Sequence, residues 1–323
     1  MAGGSRSVRL FLLVLAVAAS VVASTHFVVT PDDAVLANYL EKAYSYYTGK
    51  GLAPLPPCSG DKYLVYVNAS AQYPGATYFG NGCVLKQVFR PGYTERLVFH
   101  EVAHMFFARF HNIFDYFWID EATPEAMASV ATKVYYFPSM YFSDGLYEKN
   151  PFSLGEDRVY DWYKYSAPVA WYLERAQQWG DVLTALSTGQ GAAKMYVGFL
   201  LALAGGVELG GVVYKPRYRQ VEVGPGAAYD YPDVDGYSAV YYNISAPPGG
   251  FLRIEISGGG AGSVVSNVAL GRDVSLANGT LLVALVNNSS NTARLRVAFY
   301  YSVLKARLVD GVYYSGNVTV RIY

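Results

Sequence analysis

Charge is scarce in this chain. Lysine, arginine, aspartate and glutamate together make up 15% of its 323 residues, and 25 basic side chains cancel 25 acidic ones. A nucleic-acid partner calls for a basic excess, which this balance does not contain. Intrinsic disorder is excluded as well, because hydrophobic residues reach 52%. Cysteine is scarcer still, at two residues. Two cysteines cannot build a disulfide-dense scaffold or a cysteine-rich zinc module. Long apolar runs are also few. The stretch YVGFLLALAGGV at 196–207 is bracketed by Lys194 and Glu208. It is too short to span a bilayer and reads as a buried helix ended by Gly205 and Gly206. Tyrosine, by contrast, is abundant at 31 residues. That content suits a hydrated, β-rich surface of low charge, or a face that binds carbohydrate or peptide.

The N-terminus indicates the compartment. Arg6 and Arg9 precede the run LFLLVLAVAASVVAS at 10–24. A basic start, an apolar middle and a small-residue end predict a secretory signal over 1–24, cleaved near Ala23 or Ser24. The mature chain is then expected outside the cytoplasm. The alternative is an uncleaved segment that anchors the chain at the outer face of a membrane. In an oxidising setting Cys58 and Cys83 are expected to pair. Sequons stand at Asn68, Asn243, Asn278, Asn287, Asn288 and Asn317. Their concentration after residue 240 predicts an exposed C-terminal region.

At roughly 100–200 residues per domain the length predicts two domains, and the texture changes near residue 210. Before it, a helix is expected over 31–49, with Thr30 as cap and Pro31 in the first turn. Strands follow at 63–69 and 82–89. Helices follow at 94–111, 121–134, 165–187 and 191–204. A β-containing front followed by helices reads as α+β over 25–209. After it, FLRIEIS (251–257), ARLRVAF (293–299) and NVTVRIY (317–323) alternate apolar with polar. Glycine, asparagine and proline turns lie between them. That pattern predicts an all-β sandwich of roughly seven or eight strands over 210–323.

The residues that carry chemistry lie at 100–125. FHEVAHMFF contains His100, Glu101 and His104 in an HExxH arrangement. Positions i and i+4 share one helix face, so two imidazoles can bind one Zn²⁺ while the adjacent carboxylate reaches water at the metal. Zinc needs a third protein ligand. A histidine six positions beyond His104 with a glycine between is one solution, but Phe107 and Phe110 stand there. His111 falls one position late and reads as a helix-end residue. Another solution is a glutamate on the following helix, and Glu121 occurs in FWIDEATPEAMAS.

HEVAH followed by WIDEA resembles the gluzincin metallopeptidases. WIDEAT is similar to the tryptophan–x–x–glutamate signature of the aminopeptidase N family and to the EAT-type signature of secreted bacterial and archaeal relatives. The resemblance is loose over 25–205 and specific over 94–128. It implies a zincin-like catalytic domain, one catalytic Zn²⁺, and Glu121 as the third ligand. Similarity to thermolysin-like members implies that Glu125 orients a zinc histidine, with Asp120 as the alternative. YKYSAPVAWYLERAQQWG (163–180) looks like the aminopeptidase stretch that ends in Leu-Glu. Alignment on Leu173-Glu174 implies Tyr163 as the oxyanion donor, with Tyr165 second. The glycine and lysine of that stretch are replaced by Tyr165 and Ser166. The upstream GxMEN stretch, whose glutamate holds a free amino terminus in true aminopeptidases, has no acidic counterpart at 74–90. The family precedent instead implies an edge strand there that takes an extended peptide.

These readings converge on a secreted zinc metallopeptidase acting on peptide or protein substrates, endopeptidase in preference to aminopeptidase. His100, His104 and Glu121 hold the metal, and Glu101 and Tyr163 are catalytic. The C-terminal domain is expected to contact substrate, glycan or cell surface. Two other readings stand beside this one. One is a non-catalytic cell-surface binding protein that retains the zinc fold, against which the intact Glu101 argues. The other is a zinc hydrolase of a non-peptide substrate.

Overall fold

The computed structural model of the chain describes residues 22–110, 117–155, 158–302, 307–309, 312–315 and 318–321. A five-stranded sheet comprises β1 (Val22–Ala23), β2 (Phe27–Thr30), β3 (Tyr63–Val67), β4 (Gly75–Gly80) and β5 (Cys83–Phe89). Its order is β1-β2-β3-β5-β4, which leaves β4 at one end. Strands β2, β3 and β5 are parallel, and β4 returns antiparallel to β5. Strand alternation sends Phe27, Val29, Tyr63 and Val65 into the core. Helix α1 (Ala34–Gly49) connects β2 to β3 and buries Leu36, Leu40, Ala43 and Tyr47. Its cap is Asp33 and not Thr30: Asp33 Oδ1 accepts the Leu36 N–H at 3.0 Å. The Thr30–Pro31 bond is cis and precedes the helix. The Cys58–Cys83 disulfide is present and fastens residues 56–58 to the start of β5. There the Cys58 N–H donates to the Val84 carbonyl at 3.0 Å.

Helices α2 (Glu95–Phe107) and α3 (Phe117–Thr132) form the centre of this half. Thr94 caps α2 by accepting the Leu97 N–H at 3.2 Å. Helix α3 begins about one turn before the expected start at Glu121. Trp118 and Ile119 are buried, and their packing carries the helix back past Pro124. A proline inside a helix costs about 3 kcal/mol, which burial of the surrounding turns offsets.

The remaining helices are α4 (Tyr136–Ser143), α5 (Val159–Lys164), α6 (Ser166–Arg175), α7 (Gly180–Leu186) and α8 (Gly189–Leu203). One continuous helix was expected over 165–187, and two features divide it. Pro168 has no N–H for the carbonyl of residue 164 and crowds it, so the chain turns at Tyr165. Trp179 then draws the chain inward. Its backbone N–H donates to the Lys50 carbonyl at 3.2 Å and its indole N–H to the Leu173 carbonyl at 3.0 Å.

Part of the tyrosine is core, although others, such as Tyr73, Tyr160 and Tyr231, are exposed. Tyr47, Tyr141, Tyr147, Tyr165, Tyr196, Tyr241 and Tyr242 are all fully buried. Burying a phenol is tolerable when its hydroxyl finds a partner. The Tyr47 hydroxyl donates to the Phe99 carbonyl at 3.0 Å, one residue before His100.

Near residue 210 a hairpin of β6 (Val207–Leu209) and β7 (Val212–Tyr214) folds onto α6. Glu174 ties it down, taking the Tyr135 hydroxyl and, at 3.2 Å, the Gly210 N–H. Beyond it the chain is largely β. One sheet orders β10 (Asp233–Val234), β16 (Ala293–Ser302), β12 (Gly250–Gly259) and β14 (Asp273–Leu276), with β9 (Gly226–Asp230) also on β16. A second orders β13 (Val264–Ser266), β15 (Thr280–Asn287), β11 (Ala239–Ser245) and β8 (Arg219–Glu222). The two share one buried core, with Tyr242, Ile244, Val283 and Leu285 from one sheet and Leu252, Ile254, Val297 and Phe299 from the other. Strands β11 and β15 are also buried on their other face. Ala239, Tyr241, Ala284 and Val286 belong to the core of the helical half. The Tyr241 hydroxyl donates to the Leu200 carbonyl of α8 at 2.9 Å. A small antiparallel sheet of β17 (Arg307–Val309), β18 (Val312–Ser315) and β19 (Val318–Arg321) follows.

The N-terminal region is therefore mixed α/β with helices, and the C-terminal region is β-rich with several sheets. Among the described residues no helix is long and apolar enough to cross a membrane. Most of the expected signal segment, residues 1–21, lies outside the described residues, as do His111 and Asn317. One sequon departs from the expected exposure. Asn287 is fully buried, its amide donating to the carbonyls of Val234 at 3.0 Å and Asn291 at 2.6 Å.

Candidate metal centre

Helix α2 is buried along most of its length, from Val98 to Phe107. His100 and Glu101 lie within that buried stretch, at 4% and 5% exposure. Polar groups so placed cost free energy unless something satisfies them. Helix α3 provides part of the answer by packing along α2 and bringing Glu121 and Glu125, one turn apart, against the histidines.

His100 Nε2 and His104 Nε2 face each other at 3.1 Å. Glu121 Oε2 lies 3.3 Å from the first and 3.7 Å from the second. The three residues form a group that can hold a metal ion. Two imidazole nitrogens and a carboxylate oxygen are an ordinary zinc donor set. Bonds of about 2.0–2.2 Å to a tetrahedral ion set neighbouring ligand atoms roughly 3.3–3.6 Å apart. The observed separations are close to those edges. Glu121 Oε2 is buried and, among the described residues, accepts no hydrogen bond. A cation held by both imidazoles is a partner suited to that oxygen.

The electrostatics point the same way. Burial works against a charge on His100, yet the carboxylates of Glu121, Glu125 and Glu101 outweigh it and push its pKa up to about 10. Burial likewise opposes ionisation of Glu121, and the two histidines outweigh it, holding the carboxyl below the usual range. The cluster draws positive charge to itself.

Behind the histidines stands Glu125, 1% exposed. Its Oε2 lies 3.4 Å from His100 Nδ1, an ion-pair distance without the alignment of a hydrogen bond. Arg96 pairs with the same oxygen, and the Ser129 hydroxyl donates to Oε1 at 3.0 Å. Of the two carboxylates weighed for this position, it is Glu125 that reaches His100. Arg96 was missed in the sequence, although it stands four positions before His100 on the same face of α2. Its guanidinium also lies over the Phe137 ring at 5.1 Å.

Tyr163 packs its ring 5.5 Å from that of His100. Burial and the nearby charges of Glu121 and Glu101 raise its pKa, so the phenol keeps its proton. Tyr165 is turned away. It is fully buried, with its hydroxyl 3.4 Å from the Leu146 carbonyl. Glu101 faces β4, where the Thr77 hydroxyl donates to its Oε2 at 2.9 Å. No sequence signal pointed to Thr77.

No family model matches the chain, and no curated protein does. A solved structure is matched, that of PliG, a periplasmic lysozyme inhibitor of g-type lysozyme from Salmonella Typhimurium. The match covers 27% of this chain and 100% of that one, at 18% identity and a TM-score of 0.19. At that TM-score it carries no argument about fold or function.

Proposed function

We propose that the protein is a zinc-dependent peptidase of gluzincin type, with a zincin-like domain over 25–209 and a β-sandwich accessory domain over 210–323. The observation that carries this reading is the grouping of His100, His104 and Glu121 around one point, with the carboxylate of Glu101 buried beside it. The Cys58–Cys83 disulfide accords with action in an oxidising compartment outside the cytoplasm.

His100, His104 and Glu121 would hold the zinc. Zinc, when bound, supplies a Lewis acid that acidifies water and polarises a carbonyl. Glu101 accepts the proton of the attacking water on its carboxylate and later passes it to the leaving nitrogen. The Tyr163 hydroxyl, kept protonated by its surroundings, donates a hydrogen bond to the carbonyl oxygen as that oxygen gains charge. Glu125 holds the His100 ring, and Arg96 holds Glu125. Strand β4 ends its sheet, and an extended chain can add to it through backbone hydrogen bonds. No carboxylate stands in 74–90 to fix a free amino terminus, which favours internal cleavage.

The test is hydrolysis of casein and of an N-terminally blocked peptide, with and without a chelator. Chelator-sensitive cleavage of the blocked peptide supports an endopeptidase. Cleavage of aminoacyl anilides alone points to an aminopeptidase. Zinc bound at full occupancy with no cleavage of any peptide moves the surface-binding reading ahead.

A further inference from the structure

Thr77 and Gln87 form a directly opposed pair on β4 and β5. Gln87 is fully buried and its amide donates to the Thr77 hydroxyl oxygen at 3.0 Å. With that oxygen accepting from Gln87, the single hydroxyl proton of Thr77 points toward α2. The Thr77 hydroxyl oxygen lies 2.9 Å from Glu101 Oε2 and 2.9 Å from the Glu101 carbonyl oxygen, and these two share its proton. Two positions earlier on the same strand face is Gly75. A Cβ built there would meet Glu101 Cγ and Oε1, each at 2.9 Å. The carboxylate thus lies in the space that a side chain at 75 would occupy, with one oxygen held by a hydroxyl.

We propose that Thr77, aligned by Gln87 and with Gly75 leaving the space, is a positioning residue for Glu101. This rests on the reading of Glu101 as the proton acceptor. The contact fixes which carboxylate oxygen is engaged and which is left for the proton in transit. A carboxylate on a flexible side chain otherwise samples several rotamers, and misplacing a reacting group by about an ångström costs up to roughly a hundredfold in rate. The arrangement also places two tasks on one element. The strand whose free edge can take the substrate is the strand that aims the base, so a shift of β4 on binding is transmitted to Glu101 through a single hydroxyl.

The full-length protein and three variants test this: Thr77→Val, which keeps the shape and loses the hydroxyl; Thr77→Ser, which restores it; and Gly75→Ala. The atoms nearest the alanine methyl belong to the Glu101 side chain, Cγ and Oε1 among them, and none is backbone, so it is that side chain that must shift. Zinc content is expected to match the parent in all three. Thr77→Val, which leaves the buried Gln87 amide without its acceptor, is expected to stay folded and melt somewhat lower, and Thr77→Ser to melt like the parent. With a quenched-fluorescence peptide, Thr77→Val and Gly75→Ala are expected to lower kcat roughly ten- to a hundredfold with little change in KM. Thr77→Ser is expected to recover most of it. Parental kcat in Thr77→Val overturns the proposal, and so does a loss that follows zinc content. Crystal structures of the parent and Thr77→Val give a readout that needs no turnover. The carboxylate is expected on Thr77 in the parent and moved off it in the variant. If the parent cleaves nothing and the carboxylate still moves, the positioning stands and the peptidase reading falls. If the carboxylate stays in place, the positioning is wrong whatever the activity.

Discussion

Glu125 Oε2 lies 3.4 Å from Nδ1 of His100, while the same ring turns Nε2 toward Glu121. One imidazole thus stands between two carboxylates supplied by successive turns of α3. The carboxylate at Nδ1 favours a proton on that nitrogen and leaves the Nε2 lone pair for a metal.

Removal of Glu125 is therefore expected to weaken the metal without removing a ligand. Glu125→Ala should lower zinc affinity about 10–100-fold, the usual effect of losing such a partner. Competition against a chromophoric chelator measures it. Wild-type affinity in this variant would mean that Glu125 only neutralises Arg96.

Glu101→Gln and His104→Ala separate chemistry from metal binding. Glutamine keeps the shape of Glu101 and cannot accept a proton. Peptide hydrolysis should fall about 10²–10⁴-fold, with zinc retained. His104→Ala should lose zinc as well as activity. Turnover and metal analysis on the same preparations decide the matter. A Glu101→Gln protein that works at the parental rate would end the proposed mechanism.

The two tyrosines near the site are expected to differ. Tyr163→Phe should lower kcat by roughly a hundredfold or more, with zinc affinity unchanged, as loss of an oxyanion donor does. Tyr165→Phe should leave kinetics as they are, because its hydroxyl points to Leu146 inside the core. Equal kinetic effects of the two substitutions would remove Tyr163 from its assigned role.

The packing of the β-rich region on α8 gives a fourth expectation. Tyr241 is buried between β11 and α8, and Tyr241→Ala should cost about 3–5 kcal/mol, in the range of other aromatic truncations in cores. Denaturant unfolding measures it. Residues 25–209 expressed alone should bind a dye for exposed apolar surface, because Leu200 and its neighbours lose their cover. A well-behaved, monomeric 25–209 segment with native-like melting would count against that view.

Features set by local chemistry were mostly legible in the sequence, although the cap of α1 fell on Asp33 and not on Thr30. The start of α2 near residue 94, the i, i+4 histidines and the glycine end of α8 each depend on residues within a turn or two. The alternation of 251–257 and 293–299 likewise marked β12 and β16. Features set by packing were not. Nothing near Glu121 states that α3 will lie across α2, and only resemblance to other proteins pointed to it. The true start of α3 was missed because the burial of Trp118 is a tertiary fact. Thr77 left no trace, since it meets a glutamate 24 positions away and a threonine in a strand is unremarked. The abundance of tyrosine gave only part of the picture for a related reason. A phenol is surface-like by composition, and a backbone carbonyl that accepts its proton becomes visible only after folding.

Asn287 and Asn288 begin two overlapping sequons, yet the fold treats them oppositely. Asn288 is exposed, whereas the Asn287 side chain is enclosed and both of its ends are engaged: its amide by the Val234 and Asn291 carbonyls, its oxygen by the Ser263 and Ser289 hydroxyls. An oligosaccharide on Asn287 would take one amide hydrogen and demand room that does not exist. Sugar attached there during synthesis is thus incompatible with closure of this region, whereas sugar on its neighbour is not. In a glycosylating expression host, which of the two adjacent asparagines carries the sugar is expected to decide whether this region can close.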